Sequence, residues 1–127
     1  MTREKPLVLL VEDNETIRNA FALLLEESGY AVEQAASGAA ALESAAAVLP
    51  DVVLMDLGLP DMNGLEVTRR LKADPATQSA RVVAITGRAL QTDQNACLAA
   101  GCSAYVAKPV DTTLLLSIIG EQLEARE

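Results

Sequence analysis

The chain has 127 residues, of which half are hydrophobic and only 2% aromatic, so we expect one ordered domain with a core of Val, Leu, Ile and Ala. Its ten basic and eighteen acidic residues give a net charge of −8, which argues against a nucleic-acid or anionic-membrane partner. No apolar segment approaches the roughly 20 residues of a membrane span, and none has the pattern of a secretion signal, so we expect a cytoplasmic protein.

The absence of histidine and the spacing of the two cysteines limit the kinds of catalytic or metal site that the chain can form. The chain contains no histidine, which excludes a histidine general base, a histidine metal ligand and a phosphohistidine relay within this chain. Cys97 and Cys102 lie five positions apart, without the CxxC or Cys/His spacing of a metal site. We interpret them as free thiols, with a disulfide or a metal role as the less favoured alternative.

Short apolar runs of strand length alternate along the chain with longer segments of helical period. The predicted strands span residues 7–11, 30–34, 51–55, 81–86 and 104–107. The second run is the weakest and is expected to be less buried than the others.

Each intervening segment carries a helix signal at one or both ends. Asn14, Ser37, Asn63 and Asp111 are predicted N-caps, and Asn63 with Glu66 resembles a capping box. The predicted helices follow these caps, and one further helix covers residues 91–100. Glycines are placed to end two of the helices in the left-handed conformation, and they are Gly29 and Gly101.

Five successive strand–helix units predict a parallel sheet that is covered on both faces, because parallel strands need crossover helices and are apolar on both sides. Right-handed crossovers favour a doubly wound α/β architecture, whereas a closed barrel would need eight units. Neither a repeat nor a linker is visible. We therefore predict a single domain over residues 1–127.

Charged and polar residues stand where four of the predicted strands end. They are Glu12 and Asp13 after the first, Asp56 after the third, Thr86 at the fourth and Lys108 after the fifth. In doubly wound sheets ligands bind beyond the carboxyl ends of the strands, and with the strand order 2-1-3-4-5 the three acids share one crevice. Three close carboxylates raise one another's pKa unless a cation intervenes, and an all-oxygen set suits Mg²⁺.

A plainer interpretation applies to each of these residues alone. A single acid at a strand end is more often a helix cap or a solvated turn residue, and a single lysine is usually a surface group. The complementary set at four strand ends is harder to explain by capping.

The same residues carry a resemblance to the receiver domain of two-component response regulators, which covers essentially the whole chain. It rests on five segments in this order and spacing: Leu9-Leu10-Val11-Glu12-Asp13-Asn14, Leu54-Met55-Asp56-Leu57-Gly58-Leu59-Pro60, Asn63-Gly64, Ala84-Ile85-Thr86-Gly87 and Ala104-Tyr105-Val106-Ala107-Lys108-Pro109. The resemblance implies a flavodoxin-like fold of five βα units.

The resemblance also implies a role for each site residue. Asp56 would accept a phosphoryl group from a phosphohistidine on a histidine kinase or a histidine phosphotransfer protein. Asp13, Asp56 and the Gly58 carbonyl would hold Mg²⁺, with Glu12 acting through water. Lys108 and Thr86 would bind the phosphoryl oxygens. Such a domain is a phosphoryl acceptor that assists its own phosphorylation and dephosphorylation, rather than an enzyme acting on a separate substrate.

Three further expectations follow from the resemblance, and they concern output, one peptide bond and the phosphate lifetime. Tyr105 would change rotamer together with Thr86, so that the surface of the fourth helix, fifth strand and fifth helix controls a downstream protein partner. The Lys108–Pro109 bond is expected to be cis, against a base rate of about 5% for such bonds. Gly58 and Arg88 occupy positions that influence the phosphate lifetime in the family.

Several alternatives remain open from the sequence. The chain is expected to be a stand-alone regulator, but the same residues fit a receiver domain excised from a hybrid histidine kinase. A haloacid-dehalogenase type of Mg²⁺-dependent aspartyl-phosphatase would need a second aspartate where Gly58 stands. A flavin-binding module would want a hydroxyl- and glycine-rich loop where the acidic residues 12–15 lie.

Overall fold

Five strands alternate with five helices along the part of the chain that the structure describes, residues 5–87 and 91–126 of a computed structural model. The strands are β1 (Leu7–Val11), β2 (Ala31–Ala35), β3 (Val52–Asp56), β4 (Arg81–Thr86) and β5 (Ala104–Ala107). All pair in parallel in the order β2-β1-β3-β4-β5, which confirms the predicted doubly wound, flavodoxin-like fold.

The helices lie close to their predicted positions, because local caps define their ends. They are α1 (Glu15–Glu27), α2 (Gly38–Val48), α3 (Gly64–Ala73), α4 (Gln91–Ala100) and α5 (Thr112–Arg126). The side chains of the four predicted caps each accept a backbone N–H of the first turn, and they are Asn14, Ser37, Asn63 and Asp111. Glu66 does not complete a capping box. It pairs instead with Arg69 and Arg70 on the exposed face of α3.

Alternate residues of the central strands supply two separate halves of the core. Leu9, Val11, Val53 and Met55 pack with α2, α3 and α4 on one face of the sheet. On the other face Val8, Leu10, Val52 and Leu54 pack with α1 and α5. Because both faces are covered, β1 and β3 are almost completely buried along their length and show no polar alternation.

Two helices end in Schellman motifs built around a left-handed glycine. Gly29 has φ +99°, and the Tyr30 N–H donates to the Leu25 carbonyl. Gly101 has φ +108°, and the Cys102 N–H donates to the Cys97 carbonyl, which brings two buried free thiols to the same turn. Burial raises the pKa of the Cys102 thiol to about 11, so it is protonated near neutral pH.

Two predicted strand starts are wrong by one residue, and tertiary contacts explain both. Tyr30 was expected to open β2, but its N–H closes the end of α1, so β2 begins at Ala31. Asp51 was expected to open β3, but its carboxylate accepts the Leu7 N–H at 2.8 Å, and β3 begins at Val52. Among the described residues no helix combines the length and apolar character needed to cross a membrane.

The backbone of Asp56 and Leu57 passes so close to the first residue of α3, Gly64, that only a glycine fits there without a shift. An added Cβ would stand 2.7 Å from the Asp56 carbonyl oxygen and 2.9 Å from Leu57 Cα. Backbone atoms cannot rotate away, so we expect Gly64→Ala to lower the free energy of unfolding by about 1–3 kcal/mol in urea titrations. The control is Gly120→Ala in α5, where a Cβ would meet nothing within 4 Å. Equal midpoints for the two variants would contradict the prediction.

Candidate functional site

The three predicted acids meet at one end of the sheet. Glu12 and Asp13 directly follow β1, and Asp56 is the last residue of the neighbouring strand β3. One carboxylate oxygen from each residue lies within 4.8 Å of those of the other two. Glu12 and Asp56 are buried, whereas Asp13 is exposed. The parallel pairing of β1 and β3 places the acids side by side, as the strand order implies.

Asp56 is held by groups on two sides. Its residue is only 3% exposed, and its Oδ1 accepts the Gly58 N–H at 2.9 Å. The Lys108 Nζ lies 3.3 Å from the same oxygen. Leu57 continues the pairing of β3 because its N–H donates to the Ile85 carbonyl at 3.0 Å. The carboxylate therefore has a fixed position at the end of a rigid strand.

Glu12 is also held by several contacts. Its N–H donates to the Ala35 carbonyl, and its Oε2 accepts the Asn14 N–H at 3.0 Å. The Glu12 carbonyl accepts Arg18 Nη1 at 2.9 Å, while Arg18 Nε donates to Gln34 Oε1. Arg18 thus joins the chain at the ends of β1 and β2. No pattern in the sequence predicted this residue.

The pKa of Glu12 lies above its ordinary value in this site. Burial is the main cause that raises the pKa of Glu12, and the negative charge of Asp56 adds to it. The Asn14 N–H opposes these effects. A divalent cation among the three carboxylates would offset their mutual repulsion. The donors are all oxygen atoms, so this set fits Mg²⁺.

A small cavity of about 200 Å³ opens beside Asp56. Its walls are formed by residues from the ends of β3, β4 and β5, namely Asp56, Leu57, Gly58, Thr86, Gly87 and Lys108. Lys108 reaches the cavity because its N–H donates to the Thr86 carbonyl at 2.7 Å, at the end of the β4–β5 pair. The Lys108–Pro109 bond is cis, as predicted.

Thr86 and Tyr105 lie on the same face of neighbouring strands. Thr86 is the buried last residue of β4. Tyr105 is half-buried on β5 beside Ala84, two residues before Thr86, and packs against the half of the core below α2, α3 and α4. This placement is compatible with the predicted coupling between them. Arg88, which was expected to influence the phosphate lifetime, lies outside the described residues.

Neither space nor backbone conformation requires a glycine at position 58. An added Cβ would stand 3.6 Å from Asp56 Oδ1, an ordinary contact, and Gly58 does not have a positive φ. Space and backbone conformation therefore admit other residues at this position.

Asp61 is a second residue that the sequence analysis missed. It lies in the loop between β3 and α3, and its carboxylate accepts the Gly38 N–H at 2.8 Å and the Ala39 N–H at 3.1 Å. These two bonds to the start of α2 hold the pKa of Asp61 below its ordinary value. An aspartate 22 or more positions away along the chain carries no local signal for such a contact.

Comparisons with known proteins agree with this geometry. The family model described as "Response regulator receiver domain" matches residues 8–120. Over 116 residues the chain is 39% identical to the polar-differentiation response regulator DivK of Brucella ovis. That match covers 91% of this chain and 94% of that protein.

Two solved structures are similar over almost their whole length. The CheY-like response regulator receiver domain protein from Methanospirillum hungatei JF-1 has a TM-score of 0.90 and 30% identity, covering 97% of each chain. The receiver domain of the sensor histidine kinase PA1611 from Pseudomonas aeruginosa PAO1 has a magnesium ion coordinated in its active site cleft. Its TM-score is 0.86 and its identity 34%, covering 94% of this chain and 98% of that one. The chain therefore belongs to the response regulator receiver domain family.

Proposed function

We propose that this domain accepts a phosphoryl group on Asp56 from a phosphohistidine of a histidine kinase or a histidine phosphotransfer protein. A phosphoryl-acceptor role follows from the family. The observation that carries the assignment to Asp56 is its buried carboxylate between the Gly58 N–H and the Lys108 ammonium, at the wall of the cavity. The phosphohistidine lies outside these 127 residues, because they include no histidine.

The proposed Mg²⁺ ligands are Asp13, Asp56 and the Gly58 carbonyl, with Glu12 acting through a water molecule. The three converging carboxylates support this assignment, and so does the magnesium ion in the cleft of the similar PA1611 receiver domain. A bound Mg²⁺ would screen the repulsion between Asp56 and an incoming anionic phosphoryl group.

Lys108 and Thr86 are assigned to the phosphoryl oxygens. Lys108 Nζ lies 3.3 Å from Asp56 Oδ1 and its side chain is 41% exposed, so it can follow an incoming group. Its charge stabilises negative charge on the transferring oxygens. Thr86 also lines the cavity. Its hydroxyl would donate a hydrogen bond to one of the phosphoryl oxygens once they are present.

The proposed output is a change in the surface formed by α4, β5 and α5. Phosphorylation adds roughly −2 of charge in the cavity. Movement of Thr86 toward that charge would change the space next to Tyr105, which lies on the same face of the sheet. A downstream protein partner would then distinguish the two populations of this surface.

The donor is expected to approach over an apolar cavity of about 310 Å³ next to the site. Ile17 and Phe21 of α1 line it together with Ile85, Pro109 and Val110, and it shares Glu12 and Lys108 with the acceptor site. Ile17 is 42% exposed, which leaves apolar surface for a partner beside the reacting group. This continuity favours the phosphodonor over the downstream target as the occupant.

The proposal includes a cytoplasmic location and one receiver domain over residues 1–127. The match to DivK over 94% of its length supports a single-domain regulator. The similarity to the PA1611 domain supports the alternative of a receiver domain within a sensor histidine kinase. Family membership gives no support to the phosphatase and flavin alternatives, and Gly58 occupies the position where the phosphatase needs its second aspartate.

Removal of Mg²⁺ tests the proposed chemistry. We expect the protein, incubated with Mg²⁺ and acetyl phosphate, to gain one phosphoryl group, detected as a mass increase that hydroxylamine reverses. Excess EDTA should lower the initial rate at least about tenfold, because the repulsion at Asp56 is then unscreened. An equal rate with EDTA would contradict the proposed role of the metal. Peptide mapping that places the label away from Asp56 would contradict the assigned acceptor.

A further inference from the structure

The loop between β3 and α3, residues 57–63, is seated on the first turn of α2 by two consecutive side chains. The two carboxylate oxygens of Asp61 each accept one N–H, from Gly38 and from Ala39. Met62 lies directly over Gly38, where an added Cβ would stand 2.9 Å from its Sδ. The buried Gly38 therefore receives a hydrogen bond acceptor and an apolar side chain from the same loop.

These contacts cap α2 and also join its first turn to the loop between β3 and α3. The first N–H groups of a helix have no partner within it, and its positive end favours a carboxylate. The hydroxyl of Ser37, the N-cap of α2, accepts the Ala40 N–H at 3.1 Å, and its carbonyl accepts the Ala41 N–H. The Gly38 and Ala39 N–H groups are left for Asp61, which lies on the following strand–helix connection. The start of α2 and the loop are thus bound to each other.

Gly58 lies between two points where this loop is fixed. On its N-terminal side the Leu57 N–H donates to Ile85 and the Gly58 N–H donates to Asp56. On its C-terminal side Leu59 is buried in the core below α2, α3 and α4, and the loop is next attached to α2 through Asp61 and Met62. Gly58 itself is exposed, and Asp56 Oδ1 at 3.6 Å is the nearest atom that a Cβ would meet. The direction of its carbonyl therefore depends on the two fixed ends of the loop.

We propose that Asp61 and Met62, seated on Gly38, are positioning residues that hold the Gly58 carbonyl toward the Mg²⁺ site. Neither residue is among the proposed Mg²⁺ ligands. The inference rests on the proposed function, because Gly58 is a ligand only within that proposal. It deepens the proposal by assigning part of the metal affinity to a contact between α2 and the loop.

The test is the Mg²⁺ affinity of the whole chain, measured by calorimetry without a phosphoryl donor. Asp61→Ala is expected to raise the Kd for Mg²⁺ about tenfold, as for other residues that orient a metal ligand. The matched control is Asp74→Ala in the loop before β4, because Asp74 Oδ1 also accepts a backbone N–H, from Ala76 at 2.9 Å. The control is expected to bind Mg²⁺ as the wild type does.

A second variant distinguishes the effect of the loop's placement from the effect of the Asp61 charge. Asp61→Ala also removes a negative charge near the site, which alone would weaken cation binding. Gly38→Ala keeps that charge but forces Met62 away from α2, and Gly38 has no positive φ that alanine would strain. We expect Gly38→Ala to raise the Kd as well. Both effects should persist in about 0.5 M salt, where charges more than a few ångström apart are screened.

A metal-free readout completes the experiment. Hydrogen exchange at the Gly58 amide should be faster in Asp61→Ala than in Asp74→Ala. Equal Mg²⁺ affinities for Asp61→Ala and Asp74→Ala would overturn the inference and leave the proposed function intact. A loss of affinity confined to Asp61→Ala and abolished by salt would also overturn it, since charge alone would then act. A wild type that does not bind Mg²⁺ would overturn the proposed metal site itself, together with this inference.

Discussion

Replacement of Asp56 by asparagine is expected to abolish phosphorylation by acetyl phosphate. The amide has nearly the shape of the carboxylate and can still accept the Gly58 N–H, but it lacks the anionic oxygen that attacks phosphorus. The other two acids, Glu12 and Asp13, follow the neighbouring strand β1 and do not stand at the position of Asp56 beside Lys108. Intact-mass measurement with Mg²⁺ should show no phosphorylated species in Asp56→Asn.

The control for this prediction is Asp74→Asn, which makes the same chemical change in a loop away from the site. It is expected to gain one phosphoryl group at the wild-type rate. Thermal unfolding followed by circular dichroism checks that Asp56→Asn remains folded. Loss of one of three converging charges relieves repulsion on Glu12, so its pKa should also fall toward the ordinary value. Phosphorylation of Asp56→Asn at the wild-type level would remove the central assignment.

Replacement of Lys108 by alanine is expected to lower the rate of phosphorylation by about 10²-fold while Mg²⁺ binding is retained. Lys108 Nζ lies 3.3 Å from Asp56 Oδ1 and borders the cavity into which the phosphoryl group would enter. Without it the transferring oxygens lose their ammonium partner, but the three acids that would hold the metal are unchanged. The initial rate can be measured from the mass increase at several times.

The matched control is Lys5→Ala, which removes the same charge from an exposed residue before β1, at the opposite end of that strand from the acids. It should phosphorylate at the wild-type rate. A second readout is tyrosine fluorescence in a Tyr30→Phe background, where Tyr105 is the remaining tyrosine of a chain without tryptophan. The phosphorylation-linked change in Tyr105 should be lost in Lys108→Ala. A wild-type rate or an unaltered fluorescence response in that variant would argue against the assigned role of Lys108.

Most elements of the fold could be predicted because their signals are local. Asn14 and Ser37 act on N–H groups three residues later, and Gly29 and Gly101 end helices through their own backbone conformation. The predicted limits of β4 agree with the structure for the same reason. The errors at Tyr30 and Asp51 arose where a residue of strand-forming or turn-forming type bonds to another element. A helix end and a neighbouring strand determined those two boundaries.

The site also contains residues that the sequence could predict and residues that it could not. Glu12, Asp13, Asp56, Thr86 and Lys108 could be located because each stands at the end of a predicted strand, and parallel strands bring their ends to one edge. The residues that hold them could not be found by spacing. Arg18 reaches Glu12 and Gln34 across two strands, and Asp61 reaches back to α2. Their side chains are ordinary surface types whose partners are known only once the chain is folded.

The sequence alone determined that the protein is a doubly wound α/β domain and which acids, hydroxyl and amine end its strands, because hydrophobic periodicity and caps act over a few residues. The tertiary structure decided the distances among these groups, from the 3.3 Å between Lys108 and Asp56 to the seating of the loop on α2. It also showed that, in the loop after Asp56, the close approach of the backbone requires a glycine at position 64 and not at position 58. Such facts depend on close approach between segments far apart in the chain, and local pattern carries no information about that approach.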